Sequence, residues 1–212
     1  MKQIIRKYRH AWVFLYAFIY LPWFFYLERT VTSNYHIIHV ALDDYIPFNE
    51  YFIIPYLFWF IYVSGAVLYF FFTDKRDFYR LCAFLFTGMT ISLIICTIYP
   101  NGTDFRPAVD PNKNIFCALV AMIQRADTCT NVLPSIHVYN SIGVHIAVMS
   151  SERLQGRHRL HTFSFFTMIA ICLSTVFLKQ HSAIDGLASI TMAYYLYDVI
   201  YGTTYESSRR RA

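Results

Sequence analysis

Residues 161–201 read HTFSFFTMIAICLSTVFLKQHSAIDGLASITMAYYLYDVIY. Two apolar runs, 161–178 and 183–201, are each close to the roughly 20 residues that a helix needs to cross the hydrocarbon of a bilayer. They are separated by Lys179-Gln180-His181-Ser182-Ala183-Ile184-Asp185, where a cation, an imidazole and a carboxylate stand together. If the second helix starts at Ser182, His181 and Asp185 are four apart and share a face. A carboxylate beside an imidazole fixes its tautomer and stabilises its cation, which is what a nucleophilic or acid–base histidine requires. The same two groups also suit the plain cap of a membrane helix, and the pair alone does not separate these readings.

The rest of the chain agrees with a membrane setting. Of its 212 residues, 57% are hydrophobic, 19% aromatic and only 15% charged. A soluble domain averages about 45–50% apolar and about 25% charged. Six apolar runs are expected as spans: 11–27, 51–72, 78–99, 136–151, 161–178 and 183–201. Residues 1–212 are therefore read as one all-α domain, a six-transmembrane-helix bundle. The first run is long and aromatic and no small-residue cleavage site follows it, so it reads as a retained span. Between the first two spans, residues 36–42 look amphipathic and are expected to lie on the membrane surface or dip into it. In loop 100–134, residues 114–124 are expected as a short helix packed on the bundle.

Charge orients the bundle. With the N-terminus in the cytoplasm and six alternating spans, 13 of the 18 Lys and Arg residues fall on the cytoplasmic side. The outer side keeps Arg29, Arg106, Lys113, Arg125 and Lys179. That asymmetry predicts a multi-pass protein with both termini inside. The closing Ser-Ser-Arg-Arg-Arg reads as a basic tail on anionic lipid heads. The five cysteines show no CxxC spacing, so a zinc site is not expected. Cys117 and Cys129 share one loop and are candidates to pair if it faces an oxidising compartment.

This topology puts three polar clusters at one outer face: Asp104-Phe105-Arg106-Pro107, Leu133-Pro134-Ser135-Ile136-His137, and the stretch from Lys179 to Asp185. Each residue has a task if the ligand is a phosphate. Pro134 suits the first turn of a helix, whose free N–H groups attract anions. Ser135 adds a hydroxyl. Arg106 offers a planar fork to two oxygens, and Lys179 a mobile cation. His181, oriented by Asp185, is the candidate nucleophile, and His137 the candidate proton donor to the leaving oxygen.

These clusters resemble the three signature motifs of the type 2 phosphatidic acid phosphatase superfamily, over residues 99–185. The family's first motif ends in Arg-Pro, matched by Arg106-Pro107. Its second is Pro-Ser-Gly-His, matched by Pro134, Ser135 and His137 with Ile136 in place of glycine. Its third is matched by Ser174, His181 and Asp185. The resemblance implies a phosphohistidine at His181, Asp185 orienting it, His137 as general acid, and Arg106 and Ser135 on the phosphate. It also implies an extracytoplasmic active site and no metal or cofactor. Two of the family's cations are replaced, by Tyr99 and Thr175, and Lys179 is the candidate substitute.

The expected function is that of a membrane lipid phosphatase hydrolysing a phosphomonoester or pyrophosphate, its partners being a lipid phosphate and the bilayer, with no nucleic acid. The nearest alternative is a lipid phosphotransferase that moves a phospho-headgroup to a lipid alcohol, like inositol phosphorylceramide and sphingomyelin synthases. The reading from a different class is a non-catalytic transporter or scaffold, because polar groups inside apolar spans also serve permeation paths. Among other polar residues, His36, His39 and Asp43-Asp44 make a conceivable metal site but read better as surface polarity. Asp127 is placed to hold Arg106 or Arg125 or to cap its loop, and His145 to make a packing or hydrogen-bond contact inside the bundle.

Overall fold

The computed structural model describes residues 6–202. Lys2 and the basic tail lie outside the described residues. All six expected spans fold as helices, together with two short ones. Helix α1 runs Arg9–Thr30, with tight 3-10 geometry over Arg9–Tyr16 and α geometry over Ala17–Thr30. A short helix α2 (Ala41–Tyr45) follows, then α3 (Ile53–Thr73) and α4 (Lys75–Ile98). The loop helix α5 (Ile115–Ala126) precedes α6 (Ile136–Ser150), α7 (His158–Phe177) and α8 (Ala183–Tyr197). A π turn, Asp198–Gly202, continues α8. The helix expected at residues 114–124 is thus α5, which starts one residue later and ends two residues later.

Among the described residues, four helices are long and apolar enough to cross a membrane: α1, α3 with its 3-10 lead-in (Glu50–Thr73), α4 and α7. Helices α6 and α8 have 15 residues each, about 22 Å at a rise of about 1.5 Å per residue. Large apolar side chains such as Trp12, Phe18, Phe60, Phe72, Phe163 and Phe166 point outward from the long helices. In water such a belt would be a liability; in lipid it costs nothing.

Polar caps set where helices begin. Asp74 accepts from the N–H groups of Arg76 and Asp77, which turns α3 into α4 within one residue. Asn114 caps α5 through the Cys117 N–H. Ser182 and Asp185 make a capping box at the start of α8. The short α6 is the hub, in contact with α3, α4, α7 and α8. Its Tyr139 is fully buried, stacks on Phe84 at 4.8 Å and donates to the Phe84 carbonyl. Phe70, Phe78, Leu81, Leu85 and Ile171 fill the core around it. Gly88 is required there, because any Cβ would overlap the Tyr139 ring.

Residues 36–42, expected as an amphipathic surface segment, comprise a short strand and the start of α2. His36–Ile37 form a two-residue parallel strand (β1) with Asn101–Gly102 (β2), immediately beyond α4. His36 stacks on Tyr99 at 4.1 Å, and His39 contacts both Asp44 at 2.9 Å and Asp104 at 3.1 Å. The segment is therefore a strap across one end of the bundle. Backbone pairing with a partner about 65 positions away holds it, which no local periodicity announces. Gly102 lets the strap close: a Cβ there would lie 2.7 Å from the Cys129 carbonyl oxygen.

All five cysteines are free. Cys117 turns into the bundle on α5, whereas Cys129 lies 3.7 Å from the Tyr35 hydroxyl, so the two do not pair.

Candidate functional site

One end of the bundle gathers the C-terminal ends of α1, α4 and α7 and the N-terminal ends of α3, α6 and α8. The three polar clusters meet there. The Ser182 side chain starts α8 and leaves His181 just outside it. The first-turn residue Asp185 reaches back, its Oδ2 accepting from the Ser182 N–H at 2.9 Å and lying 3.3 Å from His181 Nδ1. Asp185 is fully buried and His181 nearly so. With Nδ1 committed to the carboxylate, Nε2 is the nitrogen of His181 available for attack.

His137, in the first turn of α6, places its ring 5.7 Å from that of His181, centroid to centroid. Tyr56 stacks on one side of His137 at 4.6 Å, and Trp59 lies against it at 4.4 Å. Both come from α3, and among the described residues the buried His137 Nδ1 has no hydrogen-bond partner. Rings this close both reach an atom held between them, since a nucleophile or proton donor needs about 2.6–3.2 Å of heavy-atom reach.

Arg106 closes the third side. Its Nη1 donates to the Asp127 carbonyl at 2.9 Å, and its Nη2 lies 3.4 Å from Asp127 Oδ2. Asp127 thus holds Arg106, as one of its expected roles required. Burial pushes the Asp127 carboxyl above its ordinary range, while the adjacent Arg106 guanidinium pulls it back down. Arg106, Asp127, His137 and His181 line one cavity of about 70 Å³, together with Glu28, Gln180, Tyr20 and Phe24.

Two expected phosphate ligands are placed elsewhere. Lys179 has a left-handed backbone, φ 57°, and is buried. Its ammonium donates to the Asp43 carbonyl and lies 5.7 Å from the centre of the Phe105 ring. Ser135 is fully buried as the N-cap of α6, its hydroxyl oxygen 3.5 Å from the Val138 N–H. Pro134 therefore precedes the cap instead of occupying the first turn. A serine before the apolar run was the stronger start signal. Ser174 is buried too, donating to the Ile171 carbonyl within α7. His145 bonds Ser164 at 3.0 Å inside the bundle, one of its two expected contacts.

Three residues of this region carry no motif. Glu28, at the end of α1, accepts from the Thr128 N–H and hydroxyl and from the Asn131 amide. A lone carboxylate closing an apolar span was its only signal. Asn101 is fully buried and accepts from the Val132 and Leu133 N–H groups, which shapes the approach to α6. Asp43 is tied to Ser182 and Ala183. Among the described residues, no cluster of three or more His, Cys, Asp or Glu side chains is arranged to hold a metal ion.

A second, far larger hollow of about 690 Å³ adjoins the cavity. Its walls are apolar and come mainly from α1 and α3, including Phe14, Leu21, Phe60, Val63 and Val67. The two spaces share Tyr20, Phe24, Asp127, Ile136 and His137.

Compared with models of known protein families, with curated proteins and with solved structures, the chain matches none.

Proposed function

We propose that this protein is an integral-membrane lipid phosphatase of the type 2 phosphatidic acid phosphatase superfamily, acting through a phosphohistidine at His181. The observation that carries this reading is the convergence of Arg106, His137 and His181, the last held by Asp185, on one small cavity that adjoins a larger apolar hollow. The three polar side chains suit a phosphoryl group and the apolar hollow a hydrocarbon chain.

In the first step His181 Nε2 attacks phosphorus, and the N–P bond forms as the bond to the leaving oxygen breaks. His137 gives that oxygen its proton. Asp185 stabilises the cationic ring of the phosphorylated His181. Water then enters, His137 takes its proton, and the N–P bond breaks to release phosphate. Arg106, oriented by Asp127, neutralises charge on the equatorial oxygens.

In the bilayer, six crossings are proposed, with both termini cytoplasmic and the site at the extracytoplasmic face. Support comes from the opposite end of the bundle. There Arg76 pairs with Glu152 at 2.8 Å and Arg153 with Asp74 at 3.7 Å, joining two loops rich in Lys and Arg. The positive residues thus gather away from the site, as cytoplasmic loops require.

One observation favours the transferase alternative. Arg106 is the one Lys or Arg lining the cavity among the described residues, beside the carboxylates Glu28 and Asp127. Such a pocket suits the single charge of a phosphodiester better than the double charge of a monoester. The test is to offer the purified protein phosphatidate, phosphatidylglycerol phosphate, isoprenyl pyrophosphates, and phosphodiester headgroup donors with diacylglycerol. Free phosphate marks hydrolysis and a new phospholipid marks transfer. Neither product from any substrate overturns both.

A further inference from the structure

We propose that Asp43, in the strap between α1 and α3, is a positioning residue that holds the His181–Asp185 pair in its reactive geometry. This rests on the reading of His181 as the nucleophile and adds a fourth segment, outside the three motif clusters, to the site.

The geometry is specific. Asp43 is 3% exposed, though it belongs to a five-residue helix on a connecting segment. Three donors converge on its carboxylate: the Ser182 hydroxyl, the Ala183 N–H at 2.8 Å and the Val40 N–H at 3.0 Å. The Asp43 carbonyl takes the ammonium of Lys179. Asp43 therefore grips the chain at residues 179, 182 and 183, on both sides of His181. Ser182 passes the constraint on. Its hydroxyl donates to Asp43 while its N–H donates to Asp185 Oδ2, the oxygen beside His181 Nδ1.

A carboxylate is the right group for this task. It only accepts, and here every partner is a donor. Asparagine has the same shape but would turn an N–H₂ group toward one of those donors. The lost contact would free the start of α8 to rotate, and His181 with it. The neighbouring Asp44 is a natural control, because its side chain is 66% exposed and faces His39.

The test is steady-state turnover of Asp43→Asn on whichever lipid phosphate or phosphodiester the wild type consumes. The expected result is a fall in kcat of about 10- to 100-fold with KM within about threefold, as a small misplacement of a reacting group produces. Asp44→Asn should stay within about twofold of wild type. Ser182→Ala should lower kcat in the same direction, and the double variant should lose little more than Asp43→Asn alone, because both act through one linkage. Wild-type turnover in Asp43→Asn, a loss confined to KM, or fully additive losses in the double variant would each overturn the proposal. If Asp43→Asn does not fold, Ser182→Ala with wild-type kcat overturns it. Absence of any turnover or phosphoprotein in the wild type would instead remove the proposed function, and this inference with it.

Discussion

Substituting Asp185 by asparagine changes one oxygen to nitrogen and nothing else in shape, so its consequences can be worked from the contacts. One carboxylate oxygen serves two groups: the Ser182 N–H at 2.9 Å and His181 Nδ1 at 3.3 Å. The asparagine carbonyl has lone pairs for both but carries no negative charge. Because the backbone N–H is fixed by the helix start, the amide oxygen stays with Ser182 and the imidazole loses its anion. A hydrogen bond to a charged group contributes about 1.5–3 kcal/mol. Each 1.36 kcal/mol on a barrier is about tenfold in rate. The phosphorylated His181 is cationic, so that loss falls on the chemical step, and kcat should drop by about 10- to 150-fold. The cap itself is largely kept, so stability should fall by no more than about 1 kcal/mol. For a chain of this size that is about 2–4 °C in melting temperature. The assay is phosphate release, or phospho-headgroup transfer, from a lipid substrate in detergent micelles, with melting followed in parallel. A kcat within threefold of wild type, at unchanged stability, would refute the role given to Asp185.

Three other outcomes follow from the same contacts. Gly88→Ala drives a methyl group into the Tyr139 ring, which is pinned by Phe84 and its own hydroxyl bond. It should destabilise the bundle by about 1–3 kcal/mol, read as a lowered melting temperature. Val63→Trp would fill the apolar hollow. It should lower kcat/KM about tenfold on long-chain lipids, since losing a few buried methylenes at about 0.8 kcal/mol each suffices, while sparing a short-chain soluble analogue. The His39 imidazole is held above its ordinary pKa, first by its bond to Asp44 and further by Asp104. A raised folded value means the contribution is complete below about pH 6.5 and is lost as pH rises through the raised pKa. The melting temperature of the wild type should therefore exceed that of His39→Gln in mild acid, and the gap should close above neutrality; a gap independent of pH would count against the strap's charge pairing.

Much of this arrangement is written locally. The apolar runs announce the helices, and Asp74, Asn114, Ser135 and Ser182 announce their starts through side chains that match free N–H groups. His181 and Asp185 follow from a four-residue spacing at a helix start. What escapes is non-local. Strand β1 exists only because Asn101–Gly102 lies beside it, and Asp43 has a role only because residues 179–183 return to it. Lys179 shows the same limit from the other side. Its position two residues before His181 suggested a phosphate ligand, yet its left-handed backbone turns the side chain to the Asp43 carbonyl. Glu28 was invisible as a site residue because its partners, Thr128 and Asn131, lie about 100 positions away.

The central claim is a covalent bond between substrate phosphorus and His181. The most direct measurement is rapid quenching of the protein with a lipid substrate labelled at phosphorus, followed by peptide mapping. The result expected is a labelled peptide that contains His181, stable in alkali and labile in acid, and absent from His181→Ala. Turnover without any such adduct, or label retained in His181→Ala, would contradict it.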